Sequence, residues 1–263
     1  MKLKLSVAAI FAAAGILAFA ASAGAVDGTI EINQAKVLAA GGFPFVISTH
    51  GSYRLTSNLK PPASTDGIDV SASNVTIDLN GFGIIGPGSS GITPNGINAS
   101  TAAEVTVENG TVTGFGIAVD VGNVSIVRNV HADVNGTGIQ TGSDALVEGC
   151  TANNCTLAIE PAINCGGAST ISGNTANGNA DAGITCQGNG CVISGNTAAA
   201  NSIAGIDCNG GGCLISGNVV FNNATGVESS DASTGFGGNV LKNTTNVSGP
   251  SSLHNNLCTG SFC

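Results

Sequence analysis

The side chains that could do chemistry in this 263-residue sequence are few, and most are acidic. Asp69 and Asp207 each directly follow a Gly-Ile pair, and Asp120 lies three residues after Ile117 in a third such segment. Carboxyl groups at recurring positions suggest work on sugars, where one carboxyl acts as acid and a second as base or nucleophile. Short polar side chains recur at equivalent places: Asn98, Gln140, Asn164, Thr185 and Glu228, with Ser71, Ser100, Gln187, Asn209 and Ser230 two residues beyond such positions. A stripe of hydroxyls, amides and carboxylates can hydrogen-bond a glycan. Equally, it can be a solvated strand face.

Bases are scarcer. Beyond Lys2 and Lys4 the cations are Lys36, Arg54, Lys60, Arg128 and Lys242, with one tyrosine, Tyr53, and three histidines, His50, His131 and His254. Abstraction of a proton from carbon needs a base, and an anionic substrate needs a cation such as Ca²⁺ or Arg to neutralise it. None of these cations or histidines falls on the stripe, and an acidic stripe repels polyuronates. No metal site and no cofactor is expected; Ca²⁺ at Asp69 or Asp120 is the one ion the acids suggest. The absence of Trp removes the strongest sugar-stacking side chain.

Composition narrows the elements that must position these residues. Charged residues make up 9% of the chain, against roughly 25% in an ordinary domain. Helix formers are thin on the ground, while 42% hydrophobic residues can build a core. A net charge of −9 excludes electrostatic nucleic-acid binding. Residues 1–25 read as a secretory signal. Lys2 and Lys4 precede the apolar run Ser6–Ala20, and small residues at Ala21-Ser22-Ala23 and Ala23-Gly24-Ala25 offer cleavage sites. The expected localisation is secreted, periplasmic or extracellular, with no membrane span after cleavage. Nine cysteines follow Gly149, eight of them in C-x4-C pairs: Cys150/Cys155, Cys186/Cys191, Cys208/Cys213 and Cys258/Cys263. In an exported chain such pairs predict disulfides. Cys165 is left over, with Ser169 where its partner would stand.

The pairs recur because the sequence repeats. Ser172-Gly173-Asn174, Ser194-Gly195-Asn196 and Ser216-Gly217-Asn218 step by 22 residues. A small residue followed by an aliphatic one recurs from Gly67-Ile68 to Gly226-Val227 at a mean step of about 23, giving eight units. Within a unit the period is two: Val75, Ile77 and Leu79 alternate with Thr76 and Asp78. Short strands separated by Gly and Asn cannot bury an apolar side alone, but stacked coils can. The expected fold is all-β: a right-handed parallel β-helix of about eight coils over residues 66–248. A cap at 26–65 and a C-terminal cap at 249–263 would close its ends. Asn80, Asn109, Asn129, Asn174, Asn196, Asn218 and Asn243 are expected to stack in one ladder, with Cys150 at the same position in the remaining coil. Cysteines at inward positions are expected to staple corners, and Cys165 to lie buried and free against Cys186.

The stretch from Gly51-Ser52-Tyr53-Arg54-Leu55 to Leu59, then Gly67-Ile68-Asp69-Val70 and Asn74-Val75-Thr76-Ile77-Asp78-Leu79-Asn80-Gly81-Phe82, resembles secreted right-handed parallel β-helix repeat proteins. That superfamily is similar in fold to pectate lyases and includes NosD-like and mannuronan-epimerase-like proteins. The resemblance covers roughly residues 45–248. It implies a substrate groove along the outward face of the first strand of each coil, and a polysaccharide or cell-surface glycan as partner. Two functions are therefore carried forward: a structural or glycan-binding β-helix, and a carbohydrate-active enzyme (lyase, hydrolase or epimerase) in the same groove. For the enzyme, Asp69, Asp120 and Asp207 are the catalytic candidates. Asp69 and Asp120 are expected two coils apart and displaced along the strand, with no adjacent acids of the hydrolase kind.

Overall fold

Alternation with a period of two makes each short segment half-buried, and the computed structural model shows how the segments stack. It describes residues 28–88, 91, 93–249, 252–254, 256–258 and 261–262. The expected signal at 1–25 and Cys263 lie outside the described residues.

Two parallel sheets run the length of a rod, and a third joins them in its C-terminal part. The ten-stranded sheet stacks Phe45–Ile47, Ile68–Val70, Asn95–Ala99, Ile117–Val121, Thr137–Thr141, Ile163–Cys165, Ile184–Cys186, Ala204–Cys208, Thr225–Ser229 and Thr245–Ser248. A twelve-stranded sheet faces it, and a six-stranded sheet forms the third wall of the C-terminal part. Inward columns fill the narrow core. Ile68, Ile97, Val119, Ile139, Ile163, Ile184, Ile206 and Val227 stack from the ten-stranded sheet, and each is fully buried. Opposite them stand Ile77, Val107, Val127, Val147, Ile171, Ile193, Ile215 and Phe236.

Ten coils are present where eight were expected. Phe45–Ile47 pairs with Ile68–Val70 below, and Thr245–Ser248 pairs with Thr225–Ser229 above. The small-residue marker is missing at both ends, where Pro44 and Asn246 hold its place; Asn246, in the last strand of the sheet, has no following coil to crowd it. Inside the rod, a Cβ on Gly67 would run into the Gly96 carbonyl and Ile84. Much of the expected cap is therefore already coil: Thr29–Ile32 and Gly51–Leu55 pair in the twelve-stranded sheet. Among the described residues one helix, Gln34–Ala39, is the capping element, started by Asn33 accepting from the Lys36 N–H and burying Val37. Ile30 and Leu38 face outward.

The asparagines form two ladders, not one. Asn174, Asn196, Asn218, Asn239 and Asn256 make the first; Asn179, Asn201, Asn223 and Asn243 make the second. Asn196 donates its backbone N–H (2.8 Å) and a side-chain N–H (3.0 Å) to Oδ1 of Asn218, and also bonds the Ile171 carbonyl (2.9 Å). Each rung is thereby satisfied inside the core. Asn80, Asn109 and Asn129 are exposed corner residues at φ 52°, 61° and 53°, where later coils have Gly149, Gly173 and Gly195. Asn and Gly both tolerate this left-handed conformation, so the two columns are confused easily in sequence.

Two of the expected disulfides are present, Cys186–Cys191 and Cys208–Cys213, with Cα atoms 6.4 and 6.5 Å apart. Their four-residue spacers turn one corner, from the ten-stranded to the twelve-stranded sheet. Cys165 is free, buried and in register with Cys186, and Ser169 accepts from the Ala145 N–H instead of bonding sulfur. The expected Cys150–Cys155 bond does not form: both thiols are free and buried. Their spacer does not close a turn: Thr151 makes isolated parallel bridges to His131 and Thr175 in the coils on either side. The two cysteines instead head the ladders, donating backbone N–H groups to Oδ1 of Asn174 (2.8 Å) and Asn179 (2.9 Å). Cys258 is disulfide-bonded; its expected partner, Cys263, is outside the described residues.

Candidate functional site

On the ten-stranded sheet the residue after each inward aliphatic points out. Parallel register stacks these residues into one column: Asp69, Asn98, Asp120, Gln140, Asn164, Thr185, Asp207, Glu228 and Ser248. All eight candidate residues named from sequence are in it. Asp120 was expected displaced along its strand, and this is corrected. Val119, not Ile117, pairs with Ile97 and Ile139, so Ala118 is the buried corner residue and Asp120 stands directly in line. Asp69 and Asp120 are thus two coils apart, roughly 10 Å, with Asn98 between them. Asp207 and Glu228 occupy adjacent coils, roughly 5 Å apart. Sequence reasoning missed that adjacency because neither coil alone holds two acids.

Asp66 also belongs to the site. It sits just before the Gly67-Ile68 marker, which was the available signal. Its carboxylate accepts from the Asn95 N–H (2.7 Å) and from Nδ2 of Asn98 (3.3 Å). Further along, Ser100 bonds Oδ1 of Asn98 (3.1 Å) and Asn209 donates to Gln187 (3.4 Å).

The column lies in a partly buried trough, and this shows in its acids. Burial pushes Asp120 up to about 6. Burial, then the negative charge of Asp66 and a hydrogen bond with it, raises Asp69 to about 6. Asp207 is also raised to about 6, by burial first and then by Glu228. Desolvation disfavours the charged form in each case. Three column oxygens, Asp69 Oδ1, Asn164 Oδ1 and Asp207 Oδ1, are buried without a hydrogen-bond partner.

A shallow pocket of about 260 Å³ opens at Asp120 and Gln140, lined also by Ser100, Thr101, Asn123 and Thr141. Unequal corners cause it. The connection from Ala99 to Val105 is two residues longer than those from Val121 to Ser125 and Thr141 to Ala145. The long turn therefore overhangs the short ones. Gly122 lies beneath it, where any Cβ would run into the Ala102 carbonyl oxygen.

The cations lie elsewhere. Arg54 pairs with Asp78 (3.3 Å) and Arg128 with Glu108 (2.6 Å), all on the twelve-stranded sheet. Lys242 is on the six-stranded sheet. His131 contacts Thr151 (3.1 Å), which donates to Asp133 (3.0 Å), again off the column. Among the described residues no three His, Cys, Asp or Glu side chains are placed to hold a metal ion.

The sequence matches the description "Right handed beta helix region" over residues 95–245. No curated protein matches it. Among solved structures it is similar to the Dettilon tailspike protein, with a TM-score of 0.60 and 17% identity over 82% of this chain. That match covers 52% of the tailspike chain, so this chain spans about half its length. It is also similar to the A-module of the Azotobacter vinelandii mannuronan C-5 epimerase, with a TM-score of 0.47 and 14% identity over 86% of this chain and 89% of that one. At 17% identity the likeness to the tailspike shows the fold alone. Stacked parallel coils and a family match over more than half of the chain lead to one conclusion: this chain belongs to the right-handed β-helix family.

Proposed function

We propose that the protein is an exported β-helix that binds a polysaccharide along the outward column of its ten-stranded sheet. The observation that carries this reading is the pocket at Asp120 and Gln140, which is continuous with a straight column of hydroxyls, amides and carboxyls. The coil repeat of about 4.8 Å is close to the length of one pyranose unit. A sugar chain lying along the rod would therefore present one residue to each coil. Export accords with the signal-like residues 1–25 and with disulfides in the rod. Isothermal titration of the purified protein against a panel of oligosaccharides tests the reading. Binding that is lost in Asp120→Ala together with Gln140→Ala is the expected result, and a panel with no binder refutes it.

A second reading rests on one specific observation. Asp207 and Glu228 stand on adjacent coils, and Asp207 is held up at about 6. A raised acid one coil from a second carboxylate on the same face fits a retaining glycosidase, with Asp207 as proton donor and Glu228 as nucleophile. Release of reducing ends from a bound oligosaccharide, abolished by Glu228→Gln, would establish this activity. Intact oligosaccharide after prolonged incubation would leave binding alone.

A further inference from the structure

Resting on the binding reading, we infer that the ligand is a neutral, hydroxyl-rich glycan, anchored by one sugar in the Asp120–Gln140 pocket, and not a polyuronate or other anionic chain. Three independent features of the molecule lead there.

The first is hydrogen-bond polarity. The column has acceptors in excess of donors. Asp69 Oδ1, Asn164 Oδ1 and Asp207 Oδ1 are buried and unpartnered, and on the flank so is Oδ1 of Asn95, a residue 8% exposed. A buried acceptor without a donor is unfavourable; these oxygens have no water-accessible surface as they stand, so a side-chain rotation accompanies binding and turns them towards an occupant's O–H or N–H groups. A sugar hydroxyl donates to these oxygens and accepts from the amide groups of Asn98 and Gln140. A carboxylate can only accept.

The second is charge layout. Asp69, Asp120, Asp207 and Glu228 lie on the column and Asp66 beside it, while both arginines are paired with acids on another sheet. A polyuronate laid in the trough would place like charges face to face at about one coil spacing, with no cation to neutralise them. A trough is also poorly screened by salt compared with open surface.

The third is the middle of the column. Between Asp120 and Asp207 stand Gln140, Asn164 and Thr185, all uncharged. A cationic chain would find no carboxylate on the column over those three coils, whereas hydroxyls find a partly exposed amide at Gln140 and Asn164; Thr185 is buried.

The test titrates the purified full chain with neutral gluco-, manno- and galacto-configured oligosaccharides, with oligogalacturonate and oligomannuronate, and with chitosan oligomers of matched length. The expected result is binding to at least one neutral series with little change on adding salt. Gln140→Ala should weaken it by about tenfold or more, the loss of a hydrogen bond or two in a desolvated site, without moving the melting temperature. Asn164→Arg should add affinity for the uronates that the natural protein lacks. Tighter binding to uronates or chitosan oligomers, falling steeply with salt, would overturn the neutral assignment and leave the glycan reading standing. No binding to any oligosaccharide would overturn the glycan reading itself. Neutral binding indifferent to both Gln140→Ala and Asn164→Arg would move the site off this column.

Discussion

The lower coils, from Ile68 to Glu148, and the upper coils, from Ile163 to Lys242, enclose similar cross-sections by different means. The lower coils fill most corners with hydrocarbon: Leu79, Val112, Phe115 and Val130 are fully buried, and Asn135, which accepts from the Phe115 N–H, is the exception. The upper coils place Asn at those corners, keep small residues such as Ala176 and Ala198 between the ladders, and staple a third corner with disulfides. Ladder spacing is correspondingly uniform, at 22, 22 and 21 residues from Asn174 to Asn239. In the lower coils the column steps 29 residues from Asp69 to Asn98 and 20 from Asp120 to Gln140. Apolar packing is non-directional and accepts coils of varied length. A hydrogen-bonded ladder has to close at every rung. The pocket at Asp120 lies in the lower coils, where an overhanging turn is tolerated, and the regular upper coils have the adjacent acids.

Removing one rung should break this comparison most sharply. Asn218→Ala leaves the Asn196 N–H groups without their acceptor and the Ile193 carbonyl without its donor, all in the core. At roughly 1–3 kcal/mol for each unsatisfied group, urea unfolding should register a loss of about 3–6 kcal/mol. The lower coils should answer more mildly to the equivalent change. Val130→Ala, in the column that later has Asn174, removes two methyls and should cost about 2 kcal/mol. If the two losses were equal, the ladders would be packing elements and not hydrogen-bonded ones. Cys186→Ser with Cys191→Ser opens a short loop and should lower stability by about 2 kcal/mol, read as a shift in the denaturation midpoint.

The last effect concerns pH. Asp69, Asp120 and Asp207 titrate near 3.8 when unfolded and about 6 when folded. Between those values the folded chain holds more protons, so stability falls as pH rises through the window and returns on acidification. The melting temperature should be a few degrees higher at about pH 5 than at about pH 7.5. Asp120→Asn should remove its share of that gain, and a melting temperature that fell on acidification would contradict burial as the cause.

Much of this was legible in the sequence. Alternation along Val75-Thr76-Ile77-Asp78 gives the strand and its buried side, and recurrence of Gly-Ile gives the stacking. The column residues were identifiable because each follows an inward aliphatic. Errors arose where two candidates two residues apart satisfied the same pattern. Gly116-Ile117 and Ala118-Val119 both read as a small residue before an aliphatic one, and the second is the true corner. Cys150–Cys155 copied the spacing of Cys186–Cys191, but its spacer does not close a turn.

The sequence by itself determined the coil, its inward and outward faces, the staples at Cys186–Cys191 and Cys208–Cys213, and the absence of Lys and Arg from the column. A period of two in side-chain direction is enough for all of that. Tertiary structure alone decided which residue stacks on which. It put Asp120 in line with Asp69, brought Glu228 beside Asp207, divided the asparagines between two ladders and raised one turn over two shorter ones to make the pocket. The reason is that a slip of two residues leaves every side chain on its proper face. Only hydrogen bonds between coils, which no local pattern contains, distinguish one register from the next.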